Sequence, residues 1–194
     1  MVARRDDWIS VEGFLALDRE SFDQKYEYRN GRMVAMAGGS TNHSLIILNT
    51  CVLIETHLAN SPCATFPEMT LWIDDTCLIP DVMVTCHEKD IEKSKTFIEH
   101  PSLVIEVLSP STERDDRGEK FLHYINCPTI QEYVLISQDL ILVQTLTRKG
   151  LEWIYRGFTC GEDVELQTIG LTVPIEKFYK RVVLPPLKPL LRRV

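Results

Sequence analysis

An acid interrupts an otherwise apolar run of the chain. Leu103-Val-Ile-Glu-Val-Leu108 reads as a strand buried on both faces except for Glu106. A lone carboxylate there costs several kcal/mol unless it is paired, protonated or metal-bound. A second acid, Asp81, follows Pro80 at the head of another apolar run over 82–84, so it enters the sheet region from a strand end. Two acids on two strands match the donor set of a hard-cation site. Mg²⁺ prefers oxygen ligands, takes few from protein and keeps its waters, so Asp81, Glu106 and a backbone carbonyl such as that of Val107 suffice. Water held in such a site becomes a nucleophile. Each acid also has a plainer reading, Glu106 as the partner of an Arg or Lys and Pro80-Asp81 as a turn.

A cation is available one element later. Asp116, Lys120 and Tyr124 recur at i, i+4 and i+8 and share one face of a helix, from which Lys120 reaches the sheet edge carrying Glu106. The same spacing also describes an exposed Asp-Lys pair on a solvated helix, and spacing alone leaves both readings open.

Positioning these groups requires a sheet and at least two helices. A short apolar pattern over 11–17 is a weak helix signal. Asn30-Gly31 between Tyr26-Glu-Tyr-Arg29 and Arg32-Met-Val-Ala-Met36 is the signature of a two-residue hairpin turn. Ser40 or Thr41 caps a helix running to Leu58, with apolar residues at helical spacing. Short β-like runs follow at 63–66, 69–73, 81–85 and 103–108, with a charged loop over 87–95. Residues 113–126 read as one helix, capped by Ser111 or Thr112 and stopped before Pro128. Strands are expected at 132–136, 140–147 and 153–158. Strands before and after two helices indicate a mixed α/β sandwich with one central sheet.

The 194 residues suit one domain, and 44% hydrophobic with 25% charged residues is globular composition, not that of a disordered or low-complexity chain. No apolar run approaches the ~18 residues that span a bilayer, and the start is charged, so a cytoplasmic protein is expected. The 21 basic and 28 acidic residues give −7, a poor global match to a polyanion. Six of the bases fall in 177–194 without an acid, leaving −13 elsewhere. Residues 184–194 hold Pro185, Pro186 and Pro189, so no regular helix or inner strand is expected there. Cys51, Cys63, Cys77, Cys86, Cys127 and Cys160 are widely spaced with no CxxC pair and read as reduced core thiols.

Taken together, these residues resemble the Uma2 family, also called DUF820, nucleases of the PD-(D/E)xK restriction-endonuclease-like superfamily. The likeness runs through Tyr26-Glu27 with Gly31 and Met36, His43, Pro80-Asp81, Glu106-Val-Leu-Ser-Pro-Ser-Thr112, the Asp116/Lys120/Tyr124 face and Glu132-Tyr133. The Glu-Val-Leu-Ser-Pro-Ser-Thr string is its most specific piece.

The resemblance implies a restriction endonuclease-like α/β fold, a central mixed β-sheet flanked by α-helices, as a single domain over 1–183 with a basic, Pro-rich tail over 184–194. It implies Mg²⁺-dependent hydrolysis of DNA phosphodiesters, with Mn²⁺ as a substitute cation. Asp81, Glu106 and Val107 would hold the metal. The superfamily places its lysine two positions after the second acid, which here is Leu108; the matching cation comes from the following helix as Lys120. Asp81, Glu106, Lys120 and Glu27 are the implied catalytic residues, Glu27 as an acid on an early element near the site that would hold a metal-bound water, and His43, Asp116 and Tyr124 are supporting residues. Cutting both strands suits a twofold homodimer, with edges near 140–158 as pairing candidates. The competing reading is a catalytically inactive nuclease fold serving as a binding or regulatory module, favoured by the acidic charge and Leu108. A small-molecule metallohydrolase ranks third.

Overall fold

Six strands form the central sheet of the computed structural model, which describes residues 8–21, 23–36, 38–92 and 95–185. The elements in chain order are α1 (Val11–Glu20), β1 (Tyr26–Arg29), β2 (Arg32–Ala35), α2 (Thr41–Leu58), β3 (Ala64–Pro67), β4 (Thr70–Ile73), β5 (Thr76–Leu78), β6 (Val82–Thr85), α3 (Glu88–Ile91), β7 (Phe97–Ile98), β8 (Leu103–Leu108), α4 (Glu113–Asp116), α5 (Glu119–Asn126), β9 (Glu132–Ser137), β10 (Leu142–Lys149), β11 (Glu152–Thr159), β12 (Asp163–Leu166) and β13 (Leu171–Pro174). The central order is β11-β10-β9-β8-β6-β3, with β8 and β9 parallel and the other pairs antiparallel.

Every residue of β8 is buried, as its apolar run requires. Leu103, Ile105 and Val107 face Ile46, Ile54 and Leu58 of α2, which covers one side of the sheet. Val104 and Leu108 face the other way, against Tyr124 of α5 and Leu71, Ile73 and Leu78 of a second sheet. Alternation along the strand therefore sends Glu106 into the seam between the two sheets, beneath α5.

The second sheet has the order β2-β1-β5-β4-β7. Its outer face is covered by α1, where Phe14 stacks on Tyr28 at 5.0 Å. The α/β fold with a central mixed sheet is as expected, but the hairpin and β4 belong to this second sheet and not to the first. β5, which joins the hairpin to β4, and β7 at the edge are three and two residues long, too short to leave a period-2 pattern. The β12–β13 hairpin was likewise not anticipated, and the loop over 87–95 contains the single turn α3.

The β1–β2 turn is as expected, with Asn30 at φ 50° and Gly31 at φ 75°. The helix expected over 113–126 is broken at Arg117 and Gly118. A Cβ at Gly118 would stand 2.7 Å from the Arg114 carbonyl oxygen, so the sharp turn between α4 and α5 requires glycine.

Two cysteines correct the all-thiol expectation: Cys63 and Cys86 form a disulfide. They extend the β3–β6 register by one step beyond Ala64↔Thr85, so they face each other across the two strands. Cys51, Cys77, Cys127 and Cys160 are free thiols. Of the Pro-rich tail expected over 184–194, residues 186–194 lie outside the described residues. Among the described residues no helix is long and apolar enough to cross a membrane.

Candidate active site

Glu106 is 2% exposed and is met from three sides. The Lys120 ammonium lies 2.6 Å from Oε1, and the Tyr124 hydroxyl donates to the same oxygen at 2.7 Å. The Asp81 backbone N–H approaches Oε2 at 3.3 Å. Asp81 in turn accepts from the Val107 N–H at 2.6 Å on Oδ2, with His43 Nε2 3.3 Å from that oxygen. A strand residue sends its N–H and C=O off the same edge, so the Val107 carbonyl also leaves toward the Asp81 side.

The remaining expected residues close the ring around Lys120. Its ammonium is 3.2 Å from Glu27 Oε1 and 3.4 Å from Asp116 Oδ1. Glu27 reaches in from β1 and also accepts from the Ile79 N–H at 3.0 Å. The Asp116 carbonyl is held by the Tyr133 hydroxyl at 2.9 Å. Despite the break at Gly118, Asp116, Lys120 and Tyr124 still share one side, because α4 and α5 both pack over β8. Asp81, Glu106, Lys120, Glu27, His43 and Asp116 thus line or border one cavity of about 100 Å³, with Val107 and Tyr124 as its backing.

Acids outnumber cations here, and proton affinities follow. Burial pushes the Glu106 carboxyl well above the usual range; the Lys120 charge opposes this, and Asp116 and Asp81 add to it. Asp116 is raised by burial in the same way, against the pull of Lys120. Burial works against the Lys120 ammonium, but Glu106 and Glu27 outweigh it and hold its pKa well above the ordinary value, so Lys120 keeps its proton. For His43, burial disfavours the charged ring, yet the hydrogen bond and charge of Asp81, with Glu68 and Asp116, raise its pKa overall.

Among the described residues no three His, Cys, Asp or Glu side chains form a ready metal cage. Mg²⁺ does not need one, since one or two carboxylates and several waters hold it. The donor set fits that habit. Glu106 supplies hard oxygens from β8 and Asp81 from the position just before β6, and Asp116 Oδ1 is buried without a hydrogen-bond partner, only 3.4 Å from the ammonium and unaligned with it.

Arg29 was not anticipated. Its guanidinium is buried beside Glu27 and lines the same cavity. The available signal was the i, i+2 spacing of Glu27 and Arg29 on one strand, which puts both on one face. Glu132, part of the motif string, lies elsewhere: fully buried, it accepts from Thr147, Gln167 and Thr168 and ties β9 to the loop before β13.

Comparison with known proteins bears out the resemblance read from the motifs. The Uma2 family model, described as "Putative restriction endonuclease", matches residues 11–176. "Uncharacterized protein slr1290" of Synechocystis sp. is 37% identical over 176 residues, covering 89% of this chain and 92% of that one. "Uncharacterized protein sll1609" of the same organism is 32% identical over 153 residues, covering 76% and 86%. In three dimensions the fold resembles the crystal structure of "a putative nuclease belonging to DUF820" from Anabaena variabilis, with a TM-score of 0.77 at 18% identity over 90% of this chain and 99% of that one. The motif residues, the fold and a match over most of its length make this chain a member of the Uma2 family.

Proposed function

We propose that this protein is a Mg²⁺-dependent endodeoxyribonuclease that hydrolyses DNA phosphodiester bonds. The observation that carries the reading is the convergence of Asp81, Glu106 and a protonated, buried Lys120 on one cavity. Asp81, Glu106 and the Val107 carbonyl are the residues that would hold Mg²⁺, or Mn²⁺ in its place. A divalent cation bound there supplies charge neutralisation at the phosphate and acidifies water.

The chain's own groups do the rest. Lys120 presents a fixed positive charge to the phosphate and stabilises charge that develops as the P–O bond breaks. Tyr124 and Lys120 together hold Oε1 of Glu106, which leaves Oε2 on the Asp81 side, where it accepts from the Asp81 N–H. Glu27 and Asp116 restrain Lys120, and the His43 ring orients Asp81 through Oδ2. The acidic chain makes DNA association weak and steeply salt-dependent, with the basic residues of 177–194 supplying attraction. The reading extends to a single domain over 1–183, a cytoplasmic protein and a homodimer that presents two sites to the two strands.

The test is nicking of supercoiled DNA with Mg²⁺ by wild type, Asp81→Ala and Glu106→Gln, beside calorimetric titration of Mg²⁺ into each. Cleavage and metal binding by wild type alone supports the nuclease. Full activity in purified Asp81→Ala removes the assignment, and a wild type that binds no metal even with DNA present favours the inactive module, for which Leu108 at the superfamily's lysine position is the supporting feature.

A further inference from the structure

Arg29 follows Glu27 by two positions on β1, so both side chains leave the same face of the strand. Arg29 is 2% exposed, and a guanidinium so buried needs partners to remain charged. It has three: Asp115 Oδ2 at 3.2 Å, Glu27 Oε2 at 3.5 Å and Glu119 Oε2 at 3.5 Å. Nε, also buried, has no hydrogen-bond partner, so the group is placed for its carboxylates at the expense of its own full satisfaction.

Each contact bears on Lys120. Arg29 holds Oε2 of Glu27, while Oε1 meets Lys120 at 3.2 Å and the Ile79 N–H at 3.0 Å, so the carboxylate is fixed at both oxygens. Asp115 and Glu119 stand on either side of the Arg117–Gly118 break. One guanidinium that bridges them sets the direction in which α5 departs, and Lys120 is the next residue after Glu119. The charges point the same way. Lys120 lies between Glu106 at 2.6 Å and Glu27 at 3.2 Å, and Arg29 offsets the negative charge of Glu27 that competes for it.

We propose that Arg29 is a positioning residue that keeps Lys120 on Glu106. It acts through Glu27, by offsetting its charge, and through Asp115 and Glu119, by fixing the start of α5. The nuclease reading matters only for what Lys120 is used for; the positioning is a statement about where the ammonium sits.

The test is crystallography of Arg29→Met and of Arg29→Met combined with Glu27→Gln, with cleavage kinetics and thermal melting of the same proteins. In Arg29→Met, Lys120 Nζ is expected to leave Glu106 for Glu27 by about 1 Å or more, with kcat down by about 100-fold and KM little changed. Adding Glu27→Gln removes the competing charge, and is expected to return Nζ to Glu106, recover much of kcat and melt above Arg29→Met. A residue that merely joins β1 to α4 and α5 would show no such rescue. If Arg29→Met does not fold, a folded double variant with Nζ on Glu106 supports the proposal, and failure of both to fold overturns it. An Arg29→Met protein with Nζ unmoved also overturns it, whatever its activity. If Nζ moves and returns as expected but no protein, wild type included, cleaves DNA, the positioning stands and the nuclease reading falls.

Discussion

Tyr124 donates to Oε1 of Glu106 from 2.7 Å, and the Lys120 ammonium pairs with the same oxygen at 2.6 Å. Both groups come from α5, one turn apart, and both are buried. Saturating Oε1 in this way leaves Oε2 as the oxygen that faces Asp81. The orientation of a candidate ligand is thus set by a helix that contributes no carboxylate to it.

Removing the phenol tests this directly. Tyr124→Phe keeps the ring packed against Tyr133 and deletes one buried hydrogen bond to Glu106, for an expected loss of about 1–3 kcal/mol in urea unfolding. Under the nuclease reading, cleavage falls roughly tenfold or more as Glu106 gains freedom to rotate. Unchanged stability and rate would mean that Lys120 alone fixes Oε1.

Lys120→Met is expected to act through its acids. Breaking a buried ion pair from one side costs about 3–5 kcal/mol where the remaining charge cannot be neutralised. Here it can, by protonation. Glu106 and Asp116 already have raised pKa values, and loss of the ammonium raises them further. An acid whose folded-state pKa lies above its unfolded value contributes stability at low pH and loses it as pH rises through the folded pKa. Melting curves should therefore show the variant near wild type in acid and increasingly deficient toward neutral and alkaline pH.

His43 gives a sign of its own. Its folded-state pKa is raised above 6.5, so the ring's contact with Asp81 contributes fully below that value and is lost as pH climbs through the folded pKa. Stability lost in His43→Gln, measured by urea unfolding without metal, should be larger at pH 5.5 than at pH 9. A pH-independent difference would assign His43 to packing.

Gly118→Ala carries the fourth expectation. The added Cβ meets the Arg114 carbonyl, a backbone atom with no freedom to swing aside, so α4 or α5 must shift. About 1–3 kcal/mol of destabilisation is expected, with displacement of Lys120 and, under the nuclease reading, loss of cleavage beyond what the melting shift explains.

The parts of the site legible in the sequence are those whose signal is local. An acid inside an apolar run marks Glu106, Pro80 marks the strand end that carries Asp81, and helical spacing relates Lys120 to Asp116 and Tyr124. Arg29 left only its i, i+2 spacing from Glu27 as a local signal; its other two carboxylates come from residues 86 and 90 positions away, which no local pattern relates to it. The Cys63–Cys86 disulfide needs the register of two strands 23 residues apart in sequence. The second sheet depends on β5, which pairs with both β1 and β4 and is too short to announce itself.

The burial of Glu106 in β8 has another consequence, which concerns the chain before it folds. Six consecutive apolar, strongly β-forming residues would be a template for intermolecular pairing, and one charge in the middle of such a segment blocks it. In the unfolded chain Glu106 is solvated and its charge keeps the segment from stacking on copies of itself; in the folded protein the same carboxylate is buried against Lys120. Glu106→Ala would thus remove a safeguard along with a candidate ligand and yield a protein prone to deposit during expression. Glu106→Gln preserves a polar side chain at that point and separates loss of function from loss of soluble material.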